Sequence, residues 1–566
     1  MDKLKKLFYI IPNTQWNNLI LLVFLVLLIT ILELASITFI YPLVDAIINN
    51  KEILFLKKYL VTFQLYFFSI DYKLFTIFIF LGIVIIKNLF LYIFINRQFN
   101  FIYNCEKQIS ENLIKKYTNL NYNFFLRTPS SLLIRNLTHE VHLFNDVLLN
   151  YIILISEILV AVCLLTVLFL VNPSITMFLI FNFLLIAVLF NQFFKKKTKK
   201  LSESLQKFEG VRLEKLSEGF ANIKEILIYR LNNFFIRSYG EVHEKTLESR
   251  KYSSKLRQYP RLVVETFAIT IVCIALIILF SSSLNVSEIL PILSLFTLAL
   301  LRTIPTQNKL IYSFQVIKFG EKTINLLFDN LNIIEDKTPN TIKKKIFTDF
   351  VKFENVNFKY DDTQNLIIKN FNFEFKKNKS YVVYGDNGAG KSTLLSIIAG
   401  LIKPTKGLIN VDGQDIHEDK GSLLSWQKNI GYVPQSIFIS DSTLASNIAI
   451  GIPRNEINKS KILELSELCQ LTKFINVNEY FDEKFTLGEK GNKFSGGQLQ
   501  RIAIARSLYR NPSILLLDEA MTGIDNTSEN ELIEIIKKLT NKMTIIMISH
   551  NTKHLEMFDE SIQIKK

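Results

Sequence analysis

The stretch GDNGAGKS at Gly385–Ser392, followed by FSGGQ at Phe494–Gln498 and LLLDEA at Leu515–Ala520, decides how the C-terminal part of this chain folds. A strand-like run, SYVVY, leads into the glycine loop. The helix expected to begin near Lys391 would turn unpaired backbone N–H groups and the positive end of its dipole toward an anion, which is phosphate-capture chemistry. Gly385, Gly388 and Gly390 let the backbone bend and approach a triphosphate, and Lys391 is long enough to reach its β and γ groups. The Ser392 hydroxyl suits a magnesium ion, and Asn387 and Thr393 are the remaining candidate contacts of the loop. A lone loop of this kind also opens kinases, GTPases and helicases, so the two later motifs carry the discrimination.

ILLLD at Ile514–Asp518 is an uninterrupted apolar run ending in two carboxylates, as expected of a parallel strand buried on both faces. Asp518 and Glu519 then sit at the carboxyl edge of a sheet, where ligands collect in such folds. There Asp518 can organise magnesium and Glu519 can polarise an attacking water.

Together these residues resemble the ATP-binding cassette transporter family over about 351–566, with ATP and Mg2+ as the implied cofactors. The resemblance implies roles for further positions. Tyr360, in FKY, would stack on adenine, a contact type worth on the order of 1 to 3 kcal/mol in nucleic-acid systems. Gln435, in YVPQ, would sense magnesium and the membrane domain, and His550, in MISH, would contact the γ-phosphate. Ser495, Gly496, Gly497 and Gln498 would meet the γ-phosphate of the opposite cassette in a sandwich, with Asp525 nearby. Phe494 stands where the family has leucine, and TGID at Thr522–Asp525 stands where it has SALD. Neither departure removes a catalytic group. One cassette per chain implies a dimer, and intact Glu519 and SGGQ favour two copies of the same chain.

The chain has 566 residues, of which 49% are hydrophobic, and a formal net charge of +15. Six stretches are apolar over the roughly 20 residues needed to cross a bilayer: about 17–48, 74–96, 147–171, 174–194, 261–283 and 286–306. The expected architecture is an α-helical membrane domain of six transmembrane helices at 1–330 and a linker at 331–350. An α/β P-loop NTPase nucleotide-binding domain follows at 351–566. Lys and Arg concentrate between spans two and three, between spans four and five, and at Lys3, Lys5 and Lys6, which places those segments in the cytoplasm. Lys51, Lys57, Lys58 and Lys73 after the first span depart from that pattern. The positive charge reads as topology, and no nucleic-acid partner is expected. The basic start precedes an apolar run too long for a signal peptide, so the first span should stay attached. Cys105, Cys163, Cys273 and Cys469 are scattered without metal-ligand or disulfide spacing.

This layout resembles the exporter-type half-transporters, whose spans continue as long helices into the cytosol. TPSSLLIRNLTHEV at Thr128–Val141 and SEGFANIKEILIYR at Ser217–Arg230 fall where that family places short coupling helices. TLGEKG at Thr486–Gly491 resembles the loop that touches them.

Glu33, Lys87, Glu157, Arg261, Glu265 and Arg302 lie within or at the ends of spans, where each ionised group costs about 2.5 to 3.5 kcal/mol at mid-bilayer unless it pairs or faces water. They should line a cavity or pair. Lys87 lies about 18 Å into its span at 1.5 Å per residue, and Arg261 and Arg302 lie near the same inner side. The three cations could form a basic collar for an anionic head group, or the arginines could anchor span ends at the interface. LELASITFIYPLV at Leu32–Val44, IIKNLF around Lys87, YPRLVVE at Tyr259–Glu265 and LALLRTIP at Leu298–Pro305 resemble the lipid-linked oligosaccharide flippases of bacterial protein glycosylation (PglK-type). That resemblance implies a polyprenyl-pyrophosphate glycan as substrate, membrane lipids as partners and the bacterial inner membrane as location. EILFLKKYLVTFQLYFF, between spans one and two, suits a helix in the outer interface. Export of other lipids, peptides or hydrophobic drugs is the second reading, and an ATP-gated channel or sensor the third.

Overall fold

Runs of five buried apolar residues and long uncharged helices require opposite solvents, and the chain divides accordingly into two units. The computed structural model describes residues 3–49, 72–171, 207–280, 286–333, 347–360, 365–488 and 491–565, with isolated residues between 173 and 205. One unit comprises Met1–Asn119 and Thr128–Ile334, the other Leu120–Arg127 and Glu335–Lys566.

The first unit is helical: α1 (Lys3–Ile10), α2 (Trp16–Thr38), α3 (Ile40–Asn49), α4 (Tyr72–Thr118), then, after a short helix of the second unit, α6 (Ser130–Arg135), α7 (Val141–Val171), α8 (Ile223–Ile228), α9 (Asn232–Phe280), α10 (Val286–Phe319) and α11 (Glu321–Leu331). α2 is apolar all round. Leu22, Leu25 and Ile29 are buried against neighbours while Ile20, Phe24 and Ile31 are exposed, as expected of a helix with lipid on its outer side. Among the described residues three helical stretches are long and apolar enough to cross a membrane: Asn13–Ile47, Lys73–Thr118 and Ser130–Val171. The expected spans at 261–283 and 286–306 fall largely on α9 and α10, whereas the one expected at 174–194 and the interfacial stretch at 52–68 lie outside the described residues. α4 has 47 residues and α9 has 49, each about 70 Å of helix at 1.5 Å per residue and more than twice the hydrocarbon thickness. α10 packs along α7, α9 and α3, and α2 packs against α4 and α7.

Thr128–Val141 forms α6, then a π-helical turn at Asn136–Glu140, all within the first unit. The short helix α5 (Tyr122–Arg127), just upstream of the stretch expected to couple, belongs to the second unit. Burial and Asp518 raise the pKa of Tyr432 in that unit, and Tyr122 adds to them. In the other candidate coupling stretch α8 buries no residue. Phe220, Leu227, Ile228 and Tyr229 are each more than 60% exposed there, as is Phe234 at the start of α9.

The second unit holds two sheets. An antiparallel sheet of order β2-β1-β4-β5 uses β1 (Phe350–Phe358), β2 (Ile368–Lys376), β4 (Lys406–Val411) and β5 (Gln414–Asp415). The other, of order β6-β7-β8-β3-β9, is parallel, with β3 (Ser380–Gly385), β6 (Ile430–Val433), β7 (Ile514–Asp518), β8 (Thr544–Ile548) and β9 (Glu560–Ile564). Every residue of β8 and the first four of β7 are buried, because helices, among them α13 (Lys420–Gln427), α14 (Leu444–Ile448) and α15 (Lys459–Leu468), cover both faces of such a sheet. On one side Leu515, Leu517, Ile545 and Met547 join Ile502, Ile535 and Ile536. On the other, Leu516, Ile546 and Ile548 join Leu394, Leu395 and Ile398. Parallel register aligns the strand ends, so the chain leaves β3, β6, β7 and β8 at one edge.

Candidate active site

Each of those four strands delivers one group of the site. β3 runs into the glycine loop, whose Gly385, Gly388 and Gly390 have φ of 151°, 77° and 96°. At Gly385 a Cβ would stand 2.2 Å from the Ile564 carbonyl oxygen, and at Gly390 2.7 Å from Ile367 Cγ2. Only glycine satisfies both the backbone and the space. The helix α12 (Lys391–Ile398) starts at the loop's end, and the Lys391 side chain is turned back along it. Its Nζ donates to the carbonyls of Gly385 at 3.0 Å and Asp386 at 2.9 Å, with the residue only 5% exposed. Asn387 is exposed on the loop.

β7 ends in the carboxylate pair. Asp518 accepts from the Ser392 hydroxyl at 3.4 Å and from the Tyr432 hydroxyl at 3.2 Å. Burial pushes the Asp518 carboxyl up; the Tyr432 and Ser392 hydrogen bonds oppose this, while the neighbouring Glu519 charge adds to it. Burial and the Asp518 charge likewise raise Tyr432 far above the usual phenol. Two crowded carboxylates beside a hydroxyl are an oxygen donor set of the kind magnesium takes together with phosphate and water. Ser392 and Asp518 therefore fit the ion, and Gln435 reaches the same cluster. Among the described residues no group of three or more His, Cys, Asp or Glu side chains could hold a metal alone.

Glu519 has φ of 50°, in the left-handed region where a non-glycine residue costs roughly 1–2 kcal/mol. Gln435 Nε2 donates to Glu519 Oε2 at 2.7 Å, and His550 Nε2 lies 2.8 Å from Glu519 Oε1. Gln435 follows β6 and His550 follows β8, so two flanking loops grip the carboxylate from either side. Such strain at a fully gripped side chain belongs with functional sites. Tyr360, after β1, packs edge-on against Phe358 with centroids 4.9 Å apart, and its hydroxyl lies 3.4 Å from Thr393 Oγ1. The aromatic therefore borders the first turn of the loop's helix.

The signature residues form a separate group. Ser495 caps α16 (Gly496–Leu508) in a capping box with Gln498: the Ser495 N–H donates to Gln498 Oε1 at 2.9 Å and the Gln498 N–H to Ser495 Oγ at 3.4 Å. Gly496 is exposed, whereas a Cβ at Gly497 would stand 2.5 Å from Ser528 Cβ. Phe494, the departure from leucine, packs on Phe474 at 6.0 Å. Asp525 caps α17 (Asn526–Leu539), accepting from the Ser528 N–H at 3.0 Å and from the Thr527 hydroxyl, which holds its carboxyl well below the usual range. No hydrogen bond or ion pair among the described residues joins Ser495, Gly496, Gly497 or Gln498 to Lys391, Asp518, Glu519 or His550.

The family description "ABC transporter transmembrane region" matches residues 19–307, more than half of the chain, and "ABC transporter" matches residues 368–522. The chain belongs to the ABC transporter family. A putative export ATP-binding/permease protein of Rickettsia typhi is 31% identical over 389 residues, 66% of this chain and 64% of that protein. An ATP-dependent lipid A-core flippase of Pasteurella multocida is 30% identical over 268 residues, 47% of this chain and 45% of its own length. The match thus spans less than two thirds of either relative. A bacterial Atm1-family ABC exporter solved with ATP bound has the same fold, with a TM-score of 0.78 over 97% of this chain and 93% of that one at 19% identity. A family member of this fold is a membrane protein with a helical exporter domain preceding its nucleotide-binding domain.

Among the described intramembrane charges Arg302 is not a free cation. Arg302 donates to Glu33 Oε2 at 3.1 Å and to Glu157 Oε2 at 3.3 Å, and its Nε also pairs with Glu33. Glu157 further accepts from the Thr306 hydroxyl at 2.9 Å and from Lys309 Nζ at 2.6 Å. The basic collar expected of Lys87, Arg261 and Arg302 is thus altered at Arg302, which two carboxylates neutralise because burial makes an unpaired charge costly. Lys87 is half-buried on α4 without an ion-pair partner among the described residues, and Arg261 lies on α9 with its side chain outside them. Sequence reasoning missed Tyr432. It stands on β6 between buried Gly431 and Val433, and no local sequence signal marks the Asp518 it meets.

Proposed function

We propose that this chain is one half of a homodimeric, ATP-hydrolysing exporter of the bacterial inner membrane that moves a lipid-linked substrate from the cytoplasmic to the outer leaflet. The observation that carries the hydrolytic part is the gripping of Glu519 by Gln435 and His550 beside the Ser392–Asp518 pair. ATP on the glycine loop would be held by Lys391, Gly388, Gly390 and Thr393, with Tyr360 on adenine and magnesium on Ser392 and Asp518. Magnesium, when bound, draws charge from the phosphates. Glu519 orients the attacking water and accepts its proton, and His550 holds the γ-phosphate end of the site.

Among the described residues no hydrogen bond or ion pair joins Ser495, Gly496, Gly497 or Gln498 to the catalytic groups of their own chain, which supports a site completed by a second copy. The exposed apolar residues Phe220, Leu227, Ile228, Tyr229 and Phe234 suit docking on the cassette of the second copy. Closure of two cassettes on two ATP molecules would then bias the membrane helices between inward-open and outward-open states. The substrate proposed first is a polyprenyl-pyrophosphate glycan, supported by the four membrane motifs and by Lys87. Neutralisation of Arg302 by Glu33 and Glu157 favours a second reading, export of other lipids, peptides or hydrophobic molecules with less demand for a basic site. Purified protein in vesicles, supplied with ATP and either labelled undecaprenyl-pyrophosphate glycan or labelled phospholipid, separates the two. ATP-dependent transfer of the glycan lipid alone supports the first, and of phospholipid alone the second.

A further inference from the structure

His554 is 3% exposed, yet both of its ring nitrogens are engaged. Nδ1 lies 2.6 Å from the Ser549 hydroxyl, and Nε2 lies 2.6 Å from Glu529 Oε1. Ser549 directly precedes His550 and also accepts from the Asn551 N–H at 3.0 Å, while the Asn551 side chain donates to Glu529 Oε1 at 3.3 Å. His554 also lines a small pocket together with Met521, Ile536, Phe558, Lys537 and Thr540. The Glu529 carboxylate can only accept, so Nε2 donates to it in a charge-assisted bond, and Nδ1 shares a hydrogen bond with the Ser549 hydroxyl.

These partners sit on the two walls of the catalytic cluster. Ser549 and His550 follow β8. Glu529 stands in the first turn of α17, at the end of the segment that leaves β7 through Asp518, Glu519 and Asp525. His554 therefore links the backbone carrying His550 to the backbone carrying Glu519, from behind the site and without reaching it. We infer that His554 is a positioning residue for ATP hydrolysis, a buried brace that holds His550 in register with Glu519. The inference rests on the hydrolytic reading above and adds to it the part that keeps His550 at 2.8 Å from the carboxylate.

A brace acts on the geometry of the reacting cluster and leaves the nucleotide contacts of the glycine loop alone, so its loss should appear in kcat and not in KM. Steady-state ATPase assays on the full-length protein in nanodiscs test this with His554→Ala, Glu529→Leu, the two combined, and His554→Ala in a His550→Ala background. Misplacement by an ångström or less of a catalytic group lowers turnover steeply, so His554→Ala and Glu529→Leu should each reduce kcat by about tenfold or more, with KM for ATP within about twofold of wild type. The combined variant should lose no more than the worse single one, and in the His550→Ala background His554→Ala should add less than about twofold. Unchanged kcat in His554→Ala, a loss confined to KM, or a full multiplicative loss on top of His550→Ala overturns the brace. If His554→Ala yields no folded protein, Glu529→Leu cuts the same link from the other side and is read against the same thresholds. Wild-type protein without ATPase activity overturns the hydrolytic reading and the brace together; active wild type with unaffected variants overturns the brace alone.

Discussion

Arg302 Nη2 lies 3.3 Å from Glu157 Oε2, joining residues 145 positions apart on α10 and α7, and the same guanidinium holds Glu33 on α2. One cation thus ties three membrane helices. Removing one member of such a buried pair leaves an uncompensated charge, costing about 3–5 kcal/mol, whereas replacing both with neutral groups is far milder. Arg302→Ala should therefore lower the thermal unfolding midpoint in detergent markedly, and Arg302→Gln with Glu33→Gln should recover much of it. Lys87→Ala, at a residue with no ion pair among the described residues, should leave the midpoint near wild type. A destabilised Lys87→Ala beside a wild-type-like Arg302→Ala would reverse these assignments.

Glu519→Gln keeps the size of the side chain and one acceptor for Gln435, but it cannot take a proton from water. General-base assistance is worth about 10²–10⁴-fold, so kcat should fall by at least two decades while ATP is still bound. Turnover measured by phosphate release and binding measured by a fluorescent ATP analogue separate the two effects.

Asp518 is held above the usual carboxyl range by burial, with the neighbouring Glu519 adding to the effect. A group raised in the folded state contributes stability below its unfolded pKa and loses it as pH rises through the folded value. At pH 7 that contribution is gone, so Asp518→Asn should unfold at a higher temperature than wild type when magnesium and nucleotide are absent, and the gap should narrow toward pH 4. The variant should also lose the protection by magnesium and ATP, about 2.7 kcal/mol at a hundredfold excess over Kd. Differential scanning fluorimetry across pH, with and without magnesium and ATP, reads both.

Asp412 shows the opposite sign. Its partial burial would raise the carboxyl, but the N–H groups of Thr348, Asp349 and Phe350 and the Thr348 hydroxyl all donate to it, and the balance holds it below the usual value. The stability it supplies is present above the unfolded carboxyl pKa near 4 and is lost as pH falls through the lower folded value. Asp412→Ala leaves those donors to water and should cost about 1–3 kcal/mol at pH 7. Chemical denaturation at pH 7 should show that deficit, and it should shrink in acid.

The site was legible where local chemistry demanded particular residue types. Gly385 and Gly390 announced a left-handed, close-packed loop, and ILLLD announced a strand that could end only at a ligand-binding edge. Gln435 and His550 came from the family resemblance, and both meet Glu519 because parallel strands align their ends. Arg302 was legible as a costly charge that should pair or face water, but its partners were not, because Glu33 and Glu157 lie 269 and 145 residues away and meet it only through helix packing. Tyr432 and His554 escaped for the same reason. A tyrosine in a strand or a histidine after one carries no local sign of the carboxylate it will touch. The short helix Tyr122–Arg127 likewise groups with the second unit although nothing in YNFFLR separates it from its neighbours in sequence.

Lys391 satisfies its ammonium on the carbonyls of Gly385 and Asp386, so any triphosphate must first compete for a donor that already has acceptors. The net gain on capture is the difference between two sets of bonds, and it is smaller than the full charge attraction. A grip discounted in this way would let spent nucleotide depart, which the proposed cycle of repeated reloading requires as much as it requires the grip itself.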